Sequence, residues 1–135
     1  MRTSALSVSE RRVARWLTLA DEDLTMAALA LRQGVYRQVC FHAQQAGEKA
    51  LKAFLLARRG TYPKSHSLEQ LLLSDLSNDL LEWRAACRRL DMYYLPTRYA
   101  DALPEGAEEE VTQEEAQASL KDARDVVADI RRRIA

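Results

Sequence analysis

The segment that begins at residue 36 most constrains the fold, because it has helical spacing and apolar side chains on more than one side. At about 100° per residue, small and apolar side chains gather on one broad arc: Tyr36, Val39, Cys40, Ala43, Ala46, Gly47, Ala50, Leu51 and Phe54. The opposite arc is polar, yet it also carries Phe41, Leu55 and Leu56. We therefore expect this helix to be covered on most sides, by other helices of the chain or by a second copy, with partners for its polar groups.

Several other segments share the helical spacing. The sequence predicts helices over about residues 9–32, 35–59, 65–73 and 79–93, and a last helix from residue 112. Capping boxes mark the starts of the first and last helices, namely Ser7 with Glu10 and Thr112 with Glu115. Either Ser65 or Ser67 caps the third. The predicted fold class is an all-α, up-and-down bundle of four to five helices.

A long irregular loop is predicted before the last helix. Between residues 94 and 111 the helical pattern fails, and two prolines and a glycine interrupt the chain. A loop of this length within a small domain is uncommon and is usually functional or mobile. We expect its first half to pack against the helices and its acidic second half to face solvent.

Length and composition narrow the class of protein. Residues 1–135 fit a single domain, and the 20 basic and 20 acidic residues cancel, so attraction to nucleic acid would need local patches. Cys40 and Cys87 lie inside helical patterns, which argues against a zinc site and a disulfide framework. We find no signal peptide or membrane span and expect a cytoplasmic protein without metal or cofactor.

Four segments together resemble the HEPN family of small helical domains. They are Gly34-Val35-Tyr36, the run CFHAQQAGEKALKA at 40–53, His66-Ser67-Leu68 with Leu71-Leu72, and Thr97-Arg98-Tyr99. Their order and spacing match the family from about residue 16 to about residue 130. The resemblance implies a four- or five-helix bundle that commonly dimerises, often encoded beside a minimal nucleotidyltransferase in pairs that look like toxin–antitoxin modules. Members of the broader family are metal-independent ribonucleases or non-enzymatic nucleotide-binding partners.

The ribonuclease members use an arginine followed by four to six residues and a histidine, which resembles acid–base RNA cleavage with the arginine on the phosphate. Arg37 and His42 have this spacing, but they point about 140° apart on a continuous helix. Arg59 and His66 also have it, across a bend. Both pairs lie away from the C-terminal helices, where the resemblance places the motif. The alternative is that His42 forms a helix-packing hydrogen bond and His66 orders the third helix.

The predicted ligand contacts combine cations, a hydroxyl and aromatic rings: Thr97, Arg98, Tyr99, Lys49, Lys52 and His66. Arg98 is the strongest candidate, because its forked donors stand between a hydroxyl and an aromatic ring. It could instead pair with Asp23 or Asp91. Glu48 and Lys52 are also spaced for an ion pair within one helix.

The mixed face of the second helix predicts an interface in a homodimer, formed by Phe41, Gln44, Gln45, Glu48 and Leu55. The resulting hypothesis is a non-catalytic HEPN-like module that binds a nucleotide or a partner, the partner being a minimal nucleotidyltransferase in a toxin–antitoxin-like pair. The alternative is a metal-independent ribonuclease toxin that cleaves RNA.

Overall fold

The computed structural model describes residues 5–94 and 110–135. Within those ranges every regular element is a helix and there is no strand, which confirms the predicted all-α bundle. In chain order the elements are α1 (Val8–Arg32), α2 (Tyr36–Arg59), α3 (Leu68–Leu73), a 3-10 turn (Leu81–Trp83), α4 (Arg84–Asp91) and α5 (Gln113–Ile134). Most of the predicted long loop lies outside the described residues.

Local signals fix both ends of the α1–α2 hairpin. Ser7 Oγ accepts from the Glu10 amide and Glu10 Oε1 accepts from the Ser7 amide, each at 3.0 Å, so the predicted capping box is confirmed. Gly34 in the connection and Gly60 after α2 both have φ of +74°, a conformation that costs glycine little. The short connection makes the two helices an antiparallel pair.

Helix α2 is the central element, since it packs against each of the other four α-helices. Its seam of small residues is buried, and Gly47 shows why small size is needed there. A Cβ at Gly47 would lie 2.6 Å from Leu68 Cδ2, so the missing side chain lets α3 approach closely. The covering of α2 that its sequence required is therefore largely supplied by the chain's own helices.

The short helices between α2 and α5 differ from the prediction in where they begin. Ser67 is the cap of α3, accepting from the Gln70 amide at 3.2 Å, while Ser65 Oγ accepts from the Ser67 amide. The predicted helix over residues 79–93 is shorter: α4 begins only at Arg84, after the 3-10 turn. Asn78 explains the delay, because its φ of 60° turns the chain out of helical geometry just before this segment.

Helix α5 closes the bundle against α2 and α1. Its start is capped as expected, with Thr112 Oγ1 accepting from the Glu115 amide at 3.1 Å. The buried side of α5 includes the stripe that helical spacing predicts, namely Ala116, Leu120, Ala123, Val127 and Ile130. None of the helices in the described ranges is long and apolar enough to span a membrane.

Candidate functional site

The polar residues of α2 form one stripe along the helix. His42, Gln45, Glu48, Lys49 and Lys52 recur at spacings of three and four, which places them on one face. We call these five residues the α2 polar stripe. Its side chains form two clusters of hydrogen bonds, one around the Asp23 carboxylate and one around the Glu48 carboxylate.

The first cluster centres on Asp23 of α1. His42 Nδ1 lies 2.8 Å from Asp23 Oδ1, and Lys49 Nζ donates to Asp23 Oδ2. Burial raises the pKa of the Asp23 carboxyl, but the hydrogen bonds from His42 and Lys49 outweigh burial and hold that pKa below its ordinary value. An ionised carboxylate can only accept, so His42 carries its hydrogen on Nδ1. This cluster joins α1 to α2.

The second cluster centres on Glu48, whose side chain is buried. Lys52 Nζ donates to Glu48 Oε2 at 2.8 Å, so the expected ion pair within the helix is present. His66 Nδ1 lies 3.3 Å from both Glu48 oxygens, and Gln45 Nε2 donates to Oε1 at 3.4 Å. The His66 ring also stacks on Tyr94, with centroids 5.3 Å apart. Glu48 thus holds three side chains, of which His66 is the most exposed, at 65%.

A third set of bonds ties α2 to the start of α3 and the end of α4. The fully buried Gln44 donates through Nε2 to the His66 carbonyl at 2.8 Å and to Asp91 Oδ1 at 3.3 Å. Asp91 also accepts from Ser67 Oγ and from the Leu68 amide, at 2.9 and 2.8 Å. These bonds fix the backbone at His66 and at the start of α3. They also give Asp91 several partners within the bundle.

A cleft opens beyond Lys52. The Lys52 ammonium lies 5.5 Å from the centroid of the Trp16 ring and 5.4 Å from that of Tyr62, and the two rings meet edge to face at 5.9 Å. On the side toward solvent, these rings line a cleft of about 350 Å³ together with Arg12, Arg15 and Leu19. The sequence interpretation missed this cleft. The sequence feature that could have revealed the cleft is the helical spacing of Arg12, Trp16 and Leu19. That spacing places a cationic and an aromatic side chain on one face of α1.

Neither predicted arginine–histidine pair forms a shared site. Arg37 lies inside α2, which begins at Tyr36, so helix geometry separates its direction from that of His42 by about 140°. Arg59 Nη1 donates to the Ser74 carbonyl at 2.6 Å, whereas the His66 ring contacts Glu48 and Tyr94. The two histidines are therefore held by different carboxylates.

The other predicted site residues fall into three groups: some are buried in the bundle, some are partly exposed, and some lie outside the described residues. Of the predicted ligand residues, Lys49, Lys52 and His66 all bond to carboxylates, while Thr97, Arg98 and Tyr99 lie outside the described residues. Of the predicted interface residues, the chain's own helices bury Gln44, Glu48 and Leu55, with exposures of 0%, 4% and 0%. These three lie inside the molecule and not on a surface that could meet a second copy. Phe41 and Gln45 remain partly exposed.

Two further features bear on metal binding and on thiol chemistry in the described residues. Within residues 5–94 and 110–135, no three histidine, cysteine, aspartate or glutamate side chains converge in a way that could hold a metal ion. Cys40 and Cys87 are both buried, and burial raises the pKa of the Cys87 thiol to about 12. A thiol with that pKa is a poor nucleophile near neutral pH.

Comparisons with known proteins give one family. The family model for the HEPN domain matches residues 13–133. The solved structure of TT1696 from Thermus thermophilus is 40% identical with a TM-score of 0.79, covering 90% of this chain and 97% of that one. ST0689, an archaeal HEPN homologue, is 31% identical with a TM-score of 0.76, covering 91% and 98%. A HEPN domain protein from Thermotoga maritima is 28% identical with a TM-score of 0.65, covering 87% and 94%.

A comparison of the chain with curated proteins found no significant match. The structural matches span nearly the full length of the solved relatives, and the family match includes the α2 polar stripe together with Trp16 and Tyr62. The chain belongs to the HEPN domain family.

Proposed function

We propose that this HEPN domain is a non-catalytic binding module for a nucleotide or a protein partner. One observation carries the proposal: each histidine is held by its own carboxylate, and the arginine at the required spacing points elsewhere. His42 bonds to Asp23 and so joins α2 to α1, and His66 bonds to Glu48 and so joins the segment before α3 to α2. A histidine that bonds to a carboxylate of a neighbouring element has a structural role that does not depend on RNA cleavage.

The proposed partner is a minimal nucleotidyltransferase in a toxin–antitoxin-like pair, as the family resemblance implies, and the proposed assembly is a homodimer. Phe41 supports an interface, because it is a large apolar side chain that α2 leaves partly exposed. Mass measurement in solution tests the assembly. We expect a dimer for the wild type and a shift toward monomer for Phe41→Glu, and a monomeric wild type would refute the homodimer.

Nucleotide binding is the second part of the proposal. Lys49 and His66, whose side chains are 24% and 65% exposed, keep their place as proposed ligand contacts together with Thr97, Arg98 and Tyr99 from the sequence. The predicted contact Lys52 is instead buried against Glu48. Thermal stabilisation by ATP or GTP, compared between wild type and Arg98→Ala, tests this part. We expect stabilisation of the wild type and a smaller shift for the variant. An unchanged melting temperature with every nucleotide would remove the ligand from the proposal.

A ribonuclease is the second candidate function, and His66 is the observation that favours it. Glu48 faces its Nδ1 atom while 65% of the side chain stays exposed, which leaves Nε2 available to exchange a proton with a substrate. Metal-independent RNA cleavage would need an arginine or lysine to hold the phosphate beside that atom. Arg59 is engaged by the Ser74 carbonyl, which is why we rank this candidate second.

A further inference from the structure

The cleft beside Trp16 carries features of a binding site that the α2 polar stripe lacks. It lies on the first half of α1, faces Tyr62 from the segment after α2, and has a volume of about 350 Å³. That volume is at the lower end of the range for small-molecule sites. A ligand that fills it would be small, with roughly the dimensions of one nucleotide.

The cleft has two arginines without a carboxylate partner in the described part of the chain. Arg12 and Arg15 are one helical turn apart and both are exposed. Elsewhere in the structure most arginines do have such partners: Arg58 bonds to Asp79, Arg89 to Asp122 and Arg131 to Asp21. Among the described residues these two guanidinium groups meet no carboxylate, and on one edge of the cleft they form a cationic rim that suits a phosphate.

The aromatic wall of the cleft is held in place from inside the bundle. Lys52 lies over both the Trp16 and the Tyr62 ring, and the ammonium is anchored by Glu48. Lys52 itself is buried, at 8% exposure, so its charge serves the ion pair and the rings. These contacts order the two rings before a ligand arrives, and an ordered apolar surface loses little conformational entropy when a ligand binds.

We propose that this cleft is a nucleotide site, with the phosphates on Arg12 and Arg15 and the base against the Trp16 and Tyr62 rings. The proposal rests on the nucleotide-binding part of the proposed function and adds a second nucleotide site, on α1, to the contacts proposed at Lys49, His66 and residues 97–99. A planar, anionic ligand matches both halves of the cleft: stacking needs an aromatic base, and the paired guanidinium groups need phosphate oxygens. An apolar ligand would leave the arginines unused, and inorganic phosphate would leave the rings unused.

Titration calorimetry with AMP, ATP and GTP tests the site. We expect wild-type protein to bind, and Arg12→Gln and Arg15→Gln each to weaken binding about tenfold, because each removes a charge-assisted hydrogen bond. Arg32→Gln is the matched control: this exposed arginine lies on the same helix, about 30 Å from Arg12 at 1.5 Å per residue, and its loss should leave affinity unchanged. Inorganic phosphate should bind far more weakly than AMP.

Fluorescence locates the bound base. The Trp83→Phe variant leaves Trp16 as the only tryptophan. We expect AMP to quench its emission with the affinity that calorimetry gives, and quenching to weaken as salt rises. Trp16→Phe should weaken binding while circular dichroism shows an intact helical fold.

The outcomes separate this site from the wider proposal. If nucleotides bind and the Arg12 and Arg15 variants match Arg32→Gln, the cleft is not the site, while the nucleotide-binding module stands. If no nucleotide binds the wild type, both the cleft and the nucleotide part of the proposed function fail. If single-stranded RNA binds through the same arginines and mononucleotides do not, the ligand is a polymer and the mononucleotide proposal is overturned.

Discussion

Asp23 and His42 face each other across the α1–α2 contact, with Oδ1 and Nδ1 2.8 Å apart. The second carboxylate oxygen of Asp23 accepts from Lys49, so one largely buried acid holds two basic side chains of the neighbouring helix. This relationship gives His42 a structural role that needs no substrate. It also makes the stability of the helix pair depend on the charge of Asp23.

Replacing Asp23 by asparagine should destabilise the fold. The change leaves the partly buried Lys49 without its counter-charge, and we expect a loss of roughly 2–3 kcal/mol in the free energy of unfolding. Urea denaturation measures it. Asp21→Asn on the same helix is the control, since the Asp21–Arg131 pair is exposed and its loss should cost no more than about 0.5 kcal/mol. Equal losses for the two variants would contradict the role of Asp23.

Acid should remove the contribution of Asp129. Burial opposes ionisation of this carboxyl, but hydrogen bonds from Arg132, Trp83 and Arg133 lower its pKa to about 2, from an ordinary 3.8. Because the folded pKa is the lower one, the stabilisation is present above the ordinary value and lost as pH falls through the folded value. The stability difference between wild type and Asp129→Asn should therefore shrink between about pH 4 and pH 2. Urea denaturation across that range checks it, and a constant difference would count against these bonds.

The buried amide of Gln44 should not tolerate a charge. Gln44→Glu would place a second carboxylate beside Asp91 and remove the donor to the His66 carbonyl, so we expect a loss of about 3 kcal/mol. Gln38→Glu, at an exposed position of the same helix, should change stability by no more than about 0.5 kcal/mol. Thermal and urea unfolding of both variants give the comparison. A Gln44 variant as stable as the wild type would show that the amide network is dispensable.

Both thiols should be unreactive in the folded protein. Cys40 and Cys87 have no exposed surface, and burial raises the pKa of each thiol, to about 12 for Cys87. We expect a colorimetric disulfide reagent to modify neither cysteine under native conditions and both in concentrated urea. Rapid native modification of either would mean that the bundle opens far more readily than its packing indicates.

The sequence was sufficient for the bundle because helical spacing and caps are local signals. Ser7 with Glu10 and glycines 34 and 60 mark helix ends within a few residues, and the structure has those ends. The start of α4 was misplaced because it depends on the left-handed turn at Asn78, which asparagine adopts only in some contexts. Propensity alone could not distinguish that turn from a continuing helix.

The site was harder to predict because its contacts join distant parts of the chain. The α2 polar stripe showed that partners were needed, but a stripe cannot say which element supplies them. Asp23 and Trp16 of α1 and Tyr62 after α2 are brought to the stripe only by the fold. For the same reason Glu48 and Gln44, expected at an interface between copies, lie inside one chain.

RNA cleavage in EDTA tests the central claim, that the two histidines serve structure and not catalysis. Single-stranded RNA would be incubated with wild type, His42→Ala and His66→Ala, each checked for helical content by circular dichroism. We predict no cleavage above the buffer background for any of the three proteins. EDTA-resistant cleavage by the wild type that disappears in a folded His66→Ala or His42→Ala variant would contradict the claim and establish the ribonuclease.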